Sequence, residues 1–490
     1  MSKLYANPLP LLPQLEQIIG TLPQFMPELF LGVAFVLTLV AEILLKISRW
    51  SAKQHTILSI LTLVFLGLSL FLVLNQWMVK PQFLFEHLLF LDLKAVYFKT
   101  LLTIVAICTV VHVQIKKTDL PVEFYSILLA TLLGLYLMTM AVSGLSIYLS
   151  IELVSIGGYL LVAFGIDTKS SEGGLKYLLF GAVCSAVMLY GFSWLYGLTG
   201  TLDFTDPIFA QNLSQNSPKV IFVVGVLSLA GVFFKLSLVP FHPYTPDVYE
   251  SAPTAVVAFL SVAPKAAALL VLMRMVSLLP VDFQPLMAVI ALVSILIGNL
   301  AALAQNNYKR LLAYSGIAQA GFMLVGLVAF NQVGVESTVF YISVYVSMNL
   351  AAFLLLDLLT DSTDIRHLVG VGHSRPLFAV LLTVVLVSLV GLPLTAGFTA
   401  KLLVFSALWQ NNQTNNYLLT SLFVVGLLNV AVSLFYYFKI PFYLFFRESE
   451  TVVAKPNSNF LVIIWTIVLV LPVIIFFFKS DWLTGLIELL

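Results

Sequence analysis

Fourteen runs of mostly apolar residues fill most of the chain. Each is close to the roughly 20 residues that an α-helix needs to cross a bilayer. Their approximate limits are 28–47, 55–75, 93–115, 122–142, 144–166, 172–199, 219–240, 252–277, 284–304, 309–330, 336–358, 376–408, 417–444 and 459–478. Inside hydrocarbon every backbone N–H and C=O must be satisfied within its own segment, so such runs are helices. The expected fold class is an all-α polytopic membrane protein with about 14 transmembrane helices, a single membrane domain over residues 1–490. Composition agrees: 60% of residues are hydrophobic and 10% charged, where soluble domains carry about a quarter.

Several function classes drop out. A net charge of +1 gives no field for nucleic acid. The only cysteines, Cys108 and Cys184, lie in apolar runs and supply no disulfide or iron–sulfur framework. No phosphate-binding glycine loop follows a strand pattern. The chain is therefore expected to hold no redox or nucleotide cofactor.

The twelfth run is too long for one straight span, and Gly391, Pro393 and Gly397 predict an interruption. Run seven ends in "FFKLSLVPFHPYTPDVYESAP", from Phe233, where prolines again break the helix. Loops after odd-numbered spans hold thirteen of the 24 lysines and arginines, and the opposite side holds seven, Lys99 and Arg274 among them. The cation-rich side is the cytoplasmic one, so both termini are expected on the outer, periplasmic side of a bacterial plasma membrane. Four cations remain for the interior of spans: Lys176, Lys235, Lys265 and Lys401.

A weak internal repeat runs through the chain. "EGGLKYLLFGAVCSAVMLYG" from Glu172 and "ESTVFYISVYVSMNLAAFLL" from Glu336 share a Glu, a Tyr five residues on, and small or polar central positions. Glu152 precedes Lys235 by 83 residues (235 − 152), and Gln319 precedes Lys401 by 82 (401 − 319). The offset of about five spans predicts two inverted five-helix repeats, over 122–277 and 284–444, with broken helices 7 and 12. Inverted repeats with discontinuous helices mark transporter folds.

The interior lysines carry the functional reading. A central lysine costs at least about 2.5–3.5 kcal/mol on insertion scales. Each one here lies near a helix irregularity: Lys235 before Pro240, Lys265 after Pro264, and Lys401 after the Gly391–Gly397 stretch. Proline frees the carbonyl four residues earlier, Leu260 in the case of Pro264, and such carbonyls can solvate an ammonium. Burial also favours a lysine's neutral form, which makes it a proton-exchange group. Glu152 in span 5 is the candidate anionic partner for Lys235. The alternative is a set of interhelical ion pairs, but three central lysines cannot all pair with one central glutamate. Lys176 follows Glu172 by four residues, as Lys46 follows Glu42, and both pairs also read as helical ion pairs. His242, in the polar segment after span 7, reads as a loop residue or a proton entrance, and His112 as interfacial.

At this point longer motifs become specific. "FKLSLVPFHPYTPDVYESAPTAVVAFLSVAPKAAAL" resembles spans 7–8 of the N subunits of proton-pumping NADH:quinone oxidoreductase, respiratory complex I, an antiporter-like membrane subunit family. "ALAQNNYKRLLAYSGIAQAGFMLVG" is similar to that family's spans 9–10, and "GLPLTAGFTAKLLVF" to its broken span 12. The resemblance implies a proton-translocating subunit with a polar axis of Glu152, Lys235, Lys265 and Lys401. It implies that NADH, FMN, Fe–S centres and quinone belong to partner subunits, which with membrane lipid are the expected partners. Tyr244 stands where related sequences often have tryptophan, and Gln319 where they often have histidine. Glutamine cannot titrate, so a relay there needs water or Tyr314. A sodium/proton antiporter subunit is the competing reading; sodium prefers several oxygen ligands, and one central carboxylate is evident.

Overall fold

The computed structural model describes residues 16, 18–47, 53–165, 167–278, 283–411, 416–447 and 460–490. The N-terminal end assigned to the outer side lies outside the described residues. Helices dominate: α1 (Met26–Ile47), α2 (Gln54–Asn75), α3 (Leu93–Lys116), α4 (Phe124–Met140), α5 (Gly144–Ala163), α6 (Thr168–Thr199) and α7a (Pro218–Leu236). Then follow α7b (Tyr244–Ser251), α8 (Thr254–Leu278), α9 (Gln284–Leu303), α10 (Tyr308–Val328) and α11 (Gln332–Leu359). Next come α12a (Pro376–Val390), α12b (Ala396–Asn411), α13 (Tyr417–Phe445) and α14 (Phe460–Phe478), and a short helix, Ser480–Glu488, follows. Twelve described helices are long and apolar enough to cross a membrane; α4 and α12a are shorter apolar helices. One small antiparallel hairpin, β1 (Gln82–Leu84) with β2 (Leu89–Leu91), lies between α2 and α3.

Helix starts follow capping rules. Asp92, Asp167, Asn307, Asn331 and Asn416 each accept a backbone N–H of the helix they precede, at α3, α6, α10, α11 and α13. Proline stands in the first turn of α7a and α12a, where its missing N–H costs nothing. Gly200 and Gly391, both left-handed, close α6 and α12a.

The bundle is layered. Helices α8, α10 and α11 are almost wholly enclosed, whereas α1 and α14 show most of their surface outward. Thus α8, which carries Lys265, and α10, which carries Gln319, form the interior, and the mostly exposed helices stand around them. Pro264 sits inside α8 without ending it.

Two breaks interrupt the regular pattern. At the end of α7a, Ser237 turns left-handed, and Val239 N–H donates to Ser294 Oγ of α9 at 3.0 Å. The chain then re-enters helix as α7b. At the end of α12a, Gly391 and Leu394 are left-handed, and α12b starts at Ala396. Gly397 holds the two halves together: its N–H donates to Ser388 Oγ at 3.1 Å, and a Cβ there would lie 1.9 Å from the Ser388 carbonyl oxygen. Gly397→Ala is expected to push α12b off α12a at roughly the 1–3 kcal/mol typical of overpacking. A melting temperature of the purified chain lowered by several degrees is the expected result.

Two loop assignments from the sequence, an outer-side Lys99 and a Lys309 in the cytoplasmic loop after span 9, are corrected. Lys99 is not an outer-loop cation but a fully buried residue of α3, its Nζ 2.5 Å from Glu28 Oε1 of α1. Lys309 is likewise buried, its Nζ donating to the Ala252 carbonyl at 2.7 Å. His112, near the end of α3, is buried against α11, its Nε2 3.0 Å from Asp357 Oδ2. Hydropathy near the end of a span cannot tell whether neighbouring helices close over a charge.

Candidate proton-transfer site

Lys235 is the last-turn cation of α7a, almost completely buried, directly before the Ser237 break. Its Nζ has no hydrogen-bond partner among the described residues. It lies 5.5 Å from the centre of the Tyr177 ring and 5.6 Å from that of Phe234, distances at which an ammonium is attracted to a ring face. Tyr244 stacks on Tyr177 at 5.1 Å and donates its hydroxyl at 2.8 Å to the Phe234 carbonyl, a last-turn acceptor that also takes the Ser237 N–H at 2.9 Å. The tyrosine that replaces the family's tryptophan therefore caps α7a.

The expected direct pair between Lys235 and Glu152 is corrected. No ion pair joins them among the described residues, and Glu152 Oε1, on α5, is buried without a hydrogen-bond partner. The two groups are near enough to interact electrostatically, and neither Lys235 Nζ nor Glu152 Oε1 has a hydrogen-bond partner among the described residues.

Lys265, on α8, is buried, and its Nζ donates to the Gly316 carbonyl of α10 at 2.9 Å. Of the carbonyls the sequence offered, the proline-freed Leu260 is not the one used; Lys265 bonds the neighbouring helix across the α8–α10 interface. Gly316 makes room: a Cβ there would stand 3.1 Å from Lys265 Nζ and 3.2 Å from the Tyr345 hydroxyl. That hydroxyl is buried and has no hydrogen-bond partner among the described residues.

Lys401 reaches back from α12b to the broken end of α12a. Its Nζ donates to the carbonyls of Leu389 at 3.0 Å and Val390 at 2.6 Å. These are last-turn carbonyls, which have no partner in their own helix and carry the negative end of its dipole. The Phe322 ring covers the amine at 4.7 Å. A cavity of about 370 Å³ adjoins it, lined by Gly391, Lys401, Phe405, Ser406 and Trp409 among others.

Gln319 joins this end to the tyrosines. Its Nε2 donates to the same Leu389 carbonyl at 2.9 Å and to the Tyr437 hydroxyl at 3.2 Å, while the Tyr341 hydroxyl donates to its Oε1 at 2.5 Å. Tyr437 also bonds Ser315. The phenols at Gln319 are thus Tyr341 and Tyr437; no hydrogen bond to Tyr314 is found among the described residues. Their only sequence signal was tyrosine inside apolar runs, with Tyr341 and Tyr345 one turn apart on α11.

Lys176 stands apart from the buried amines. Part-exposed, it pairs with Glu172 at 2.8 Å, as the spacing predicts, and with Asp247 of α7b at 3.0 Å. Arg310 bridges Asp247 and Glu250, each at 2.8 Å. Partial burial pushes the Asp247 carboxyl up, but its bonds to Lys176 and Arg310 outweigh this and hold it below the usual range. These groups line an open cup of about 230 Å³. His242 lies in the break, its Nδ1 buried without a partner among the described residues. The Glu42–Lys46 pair does not form: Glu42 is buried and accepts from Ser126 N–H at 3.2 Å and Ser126 Oγ at 3.1 Å, and Lys46 is exposed.

The family described as "NADH:quinone oxidoreductase/Mrp antiporter, TM" matches residues 141–429, which include Glu152, Lys235, Lys265 and Lys401. The chain belongs to this family. It is similar to NADH-quinone oxidoreductase subunit N 2 of Chloroherpeton thalassium, 38% identical over 89% of this chain and 88% of that one. It is also similar to subunit N of Chlorobium chlorochromatii, 36% identical over 91% and 90%. Among solved structures it resembles a chain of Thermus thermophilus respiratory complex I with bound aureothin. That match has a TM-score of 0.79 and 28% identity, over 93% of this chain and 98% of the other.

Proposed function

We propose that the chain is a proton-translocating subunit in the membrane arm of an NADH:quinone oxidoreductase, with Glu152, Lys235, Lys265 and Lys401 as its proton-exchanging axis. The observation that carries this is three enclosed lysines without carboxylate partners at hydrogen-bond distance. Burying an ammonium without a paired anion is costly, so enclosed amines are poor scaffolding. Lys235 and Lys265 stand beside groups with spare hydrogen-bonding capacity, Glu152 and Tyr345, and Lys401 borders a cavity.

In this mechanism Lys235 exchanges a proton under the influence of Glu152, Lys265 takes the middle position, and Gln319 with Tyr341 and Tyr437 positions the Lys401 end. Moving one charge against 100 mV takes about 2.3 kcal/mol, close to two pKa units. A lysine that gains or loses a nearby carboxylate changes its proton affinity by that order. His242 and the Lys176 cup are placed as access groups on the side of α7b. NADH, FMN, Fe–S centres and quinone are held by partner subunits, and the energy arrives through contacts with them.

The axis is placed in two inverted five-helix units, residues 122–277 and 284–444. Each has one interrupted helix, α7 or α12, with an enclosed lysine beside the interruption. The chain is placed in a bacterial plasma membrane with both termini on the periplasmic side. The test is the intact complex in sealed vesicles, without sodium, carrying Lys235→Ala. Quinone reduction with at most a small fraction of parent acidification is expected; unchanged protons per electron would refute the assignment. Transport that demands sodium would favour the antiporter reading.

A further inference from the structure

Helices α1–α4 enclose ionisable groups that the lysine axis does not use. Only six residues of α1 are buried, and along one stripe they include Glu28, Leu31, Ala34, Thr38 and Glu42. The helix thus turns a carboxylate inward at each end, 14 residues or about 21 Å apart (42 − 28). At one end Glu28 Oε1 meets Lys99 Nζ at 2.5 Å, and both side chains are completely shielded. The second oxygen, Oε2, is also buried and receives no hydrogen bond from the described residues. An ionised carboxylate in such a place is costly, and a protonated one needs fewer donors.

Polar groups lead away from this pair in both directions. Lys99 Nζ donates to Gln76 Oε1 at 3.2 Å, and Gln76 Nε2 donates to the Gln24 carbonyl at 2.6 Å, towards the hairpin-side face. In the other direction Thr103, one turn along α3, bonds the Tyr136 hydroxyl, which meets Ser69 Oγ at 3.1 Å. Further along α2 the Thr62 hydroxyl is buried without a partner among the described residues. Ser59 then accepts from Gln114 at 2.6 Å at the wall of an open cavity of about 700 Å³. Beside that end Glu42 is held by Ser126. Ser59, Thr62 and Ser69 on α2, and Gln76 in the helical turn that continues it, recur at steps of three and seven, which places them on one face.

We propose that Glu28 and Lys99 form a second proton-holding site, distinct from the lysine axis and served by this hydroxyl-lined seam. The exchange is a simple relocation. The N–H bond at Lys99 Nζ breaks and an O–H bond forms on Glu28, turning ammonium and carboxylate into amine and carboxylic acid with no change in net charge. A further proton taken up by the amine leaves the pair with charge +1. The titratable and charged groups around the pair are Tyr136 on α4 and the Asp92–Arg274 pair, joined at 2.8 Å between the start of α3 and α8. The proposal is independent of whether the lysine axis pumps.

Infrared difference spectra of the intact complex, recorded across a pH titration, test it. A protonated-carboxyl stretching band that disappears in Glu28→Gln and persists in both Glu42→Gln and Lys401→Met is expected. Lys99→Arg keeps the cation but cannot surrender its proton. It should assemble normally and lose the same band, which a purely structural pair would not do. A band unchanged by Lys99→Arg, or no protonated-carboxyl signal sensitive to Glu28→Gln at any pH, would overturn the proposal. If Glu28→Gln fails to assemble, Lys99→Arg alone decides.

Discussion

Lys401→Met is expected to reduce proton translocation by the assembled complex by at least an order of magnitude. The side chain serves two ends at once. It supplies the exchangeable proton of the α12 break, and it satisfies the Leu389 and Val390 carbonyls at 3.0 and 2.6 Å. Methionine fills similar volume but offers no donor. Leu389 keeps the Gln319 amide, whereas the Val390 carbonyl is left facing apolar side chains, a loss of about 1–3 kcal/mol. Lys401→Arg separates the two roles. Arginine restores charge and donors at the helix end but stays protonated at any accessible pH. It should recover assembly on native gels without recovering acidification in sealed vesicles. Recovery of both would assign Lys401 to structure alone.

The second large effect is expected at Gln319. This amide makes three bonds, to the Leu389 carbonyl, the Tyr437 hydroxyl and the Tyr341 hydroxyl, all buried among the described residues. Gln319→Leu strands the Tyr341 hydroxyl and loosens Tyr437, so a stability loss of about 2 kcal/mol and a several-fold fall in pumping rate are expected. Gln319→His keeps a donor and an acceptor near the two phenols. It should restore most of the rate and add a pH dependence near neutrality, where imidazole titrates. A rate unaffected by leucine, measured beside a melting curve that does shift, would remove Gln319 from the transfer route.

The helices were legible in the sequence because hydrocarbon leaves a chain few other choices: each apolar run of sufficient length became a helix. The interruptions were legible for a related reason. Gly391, Pro393 and Gly397 cannot sit comfortably in one straight helix, and neither can the prolines after Lys235. The amines themselves stood out because charge is rare in this chain. Their partners did not. Whether Lys265 would bond Leu260 of its own helix or Gly316 of the next depends on how α8 faces α10, a tertiary fact. Lys99 and Arg274 were read alike as outer-loop cations, yet α1 and α4 close over Lys99 completely while Arg274 pairs with Asp92 at 2.8 Å. Tyr341, Tyr345 and Tyr437 look in sequence like ordinary aromatic packing; only their convergence on α10 gives them a polar neighbourhood.

The most direct measurement is an experimental density map of the assembled complex, sharp enough to place ordered solvent. Water within hydrogen-bond reach of Lys235 Nζ and Glu152 Oε1, continuing past Lys265 and Tyr345 to Gln319 and Lys401, is the predicted result. Amines sealed in separate apolar compartments, in every state trapped during turnover, would contradict the account.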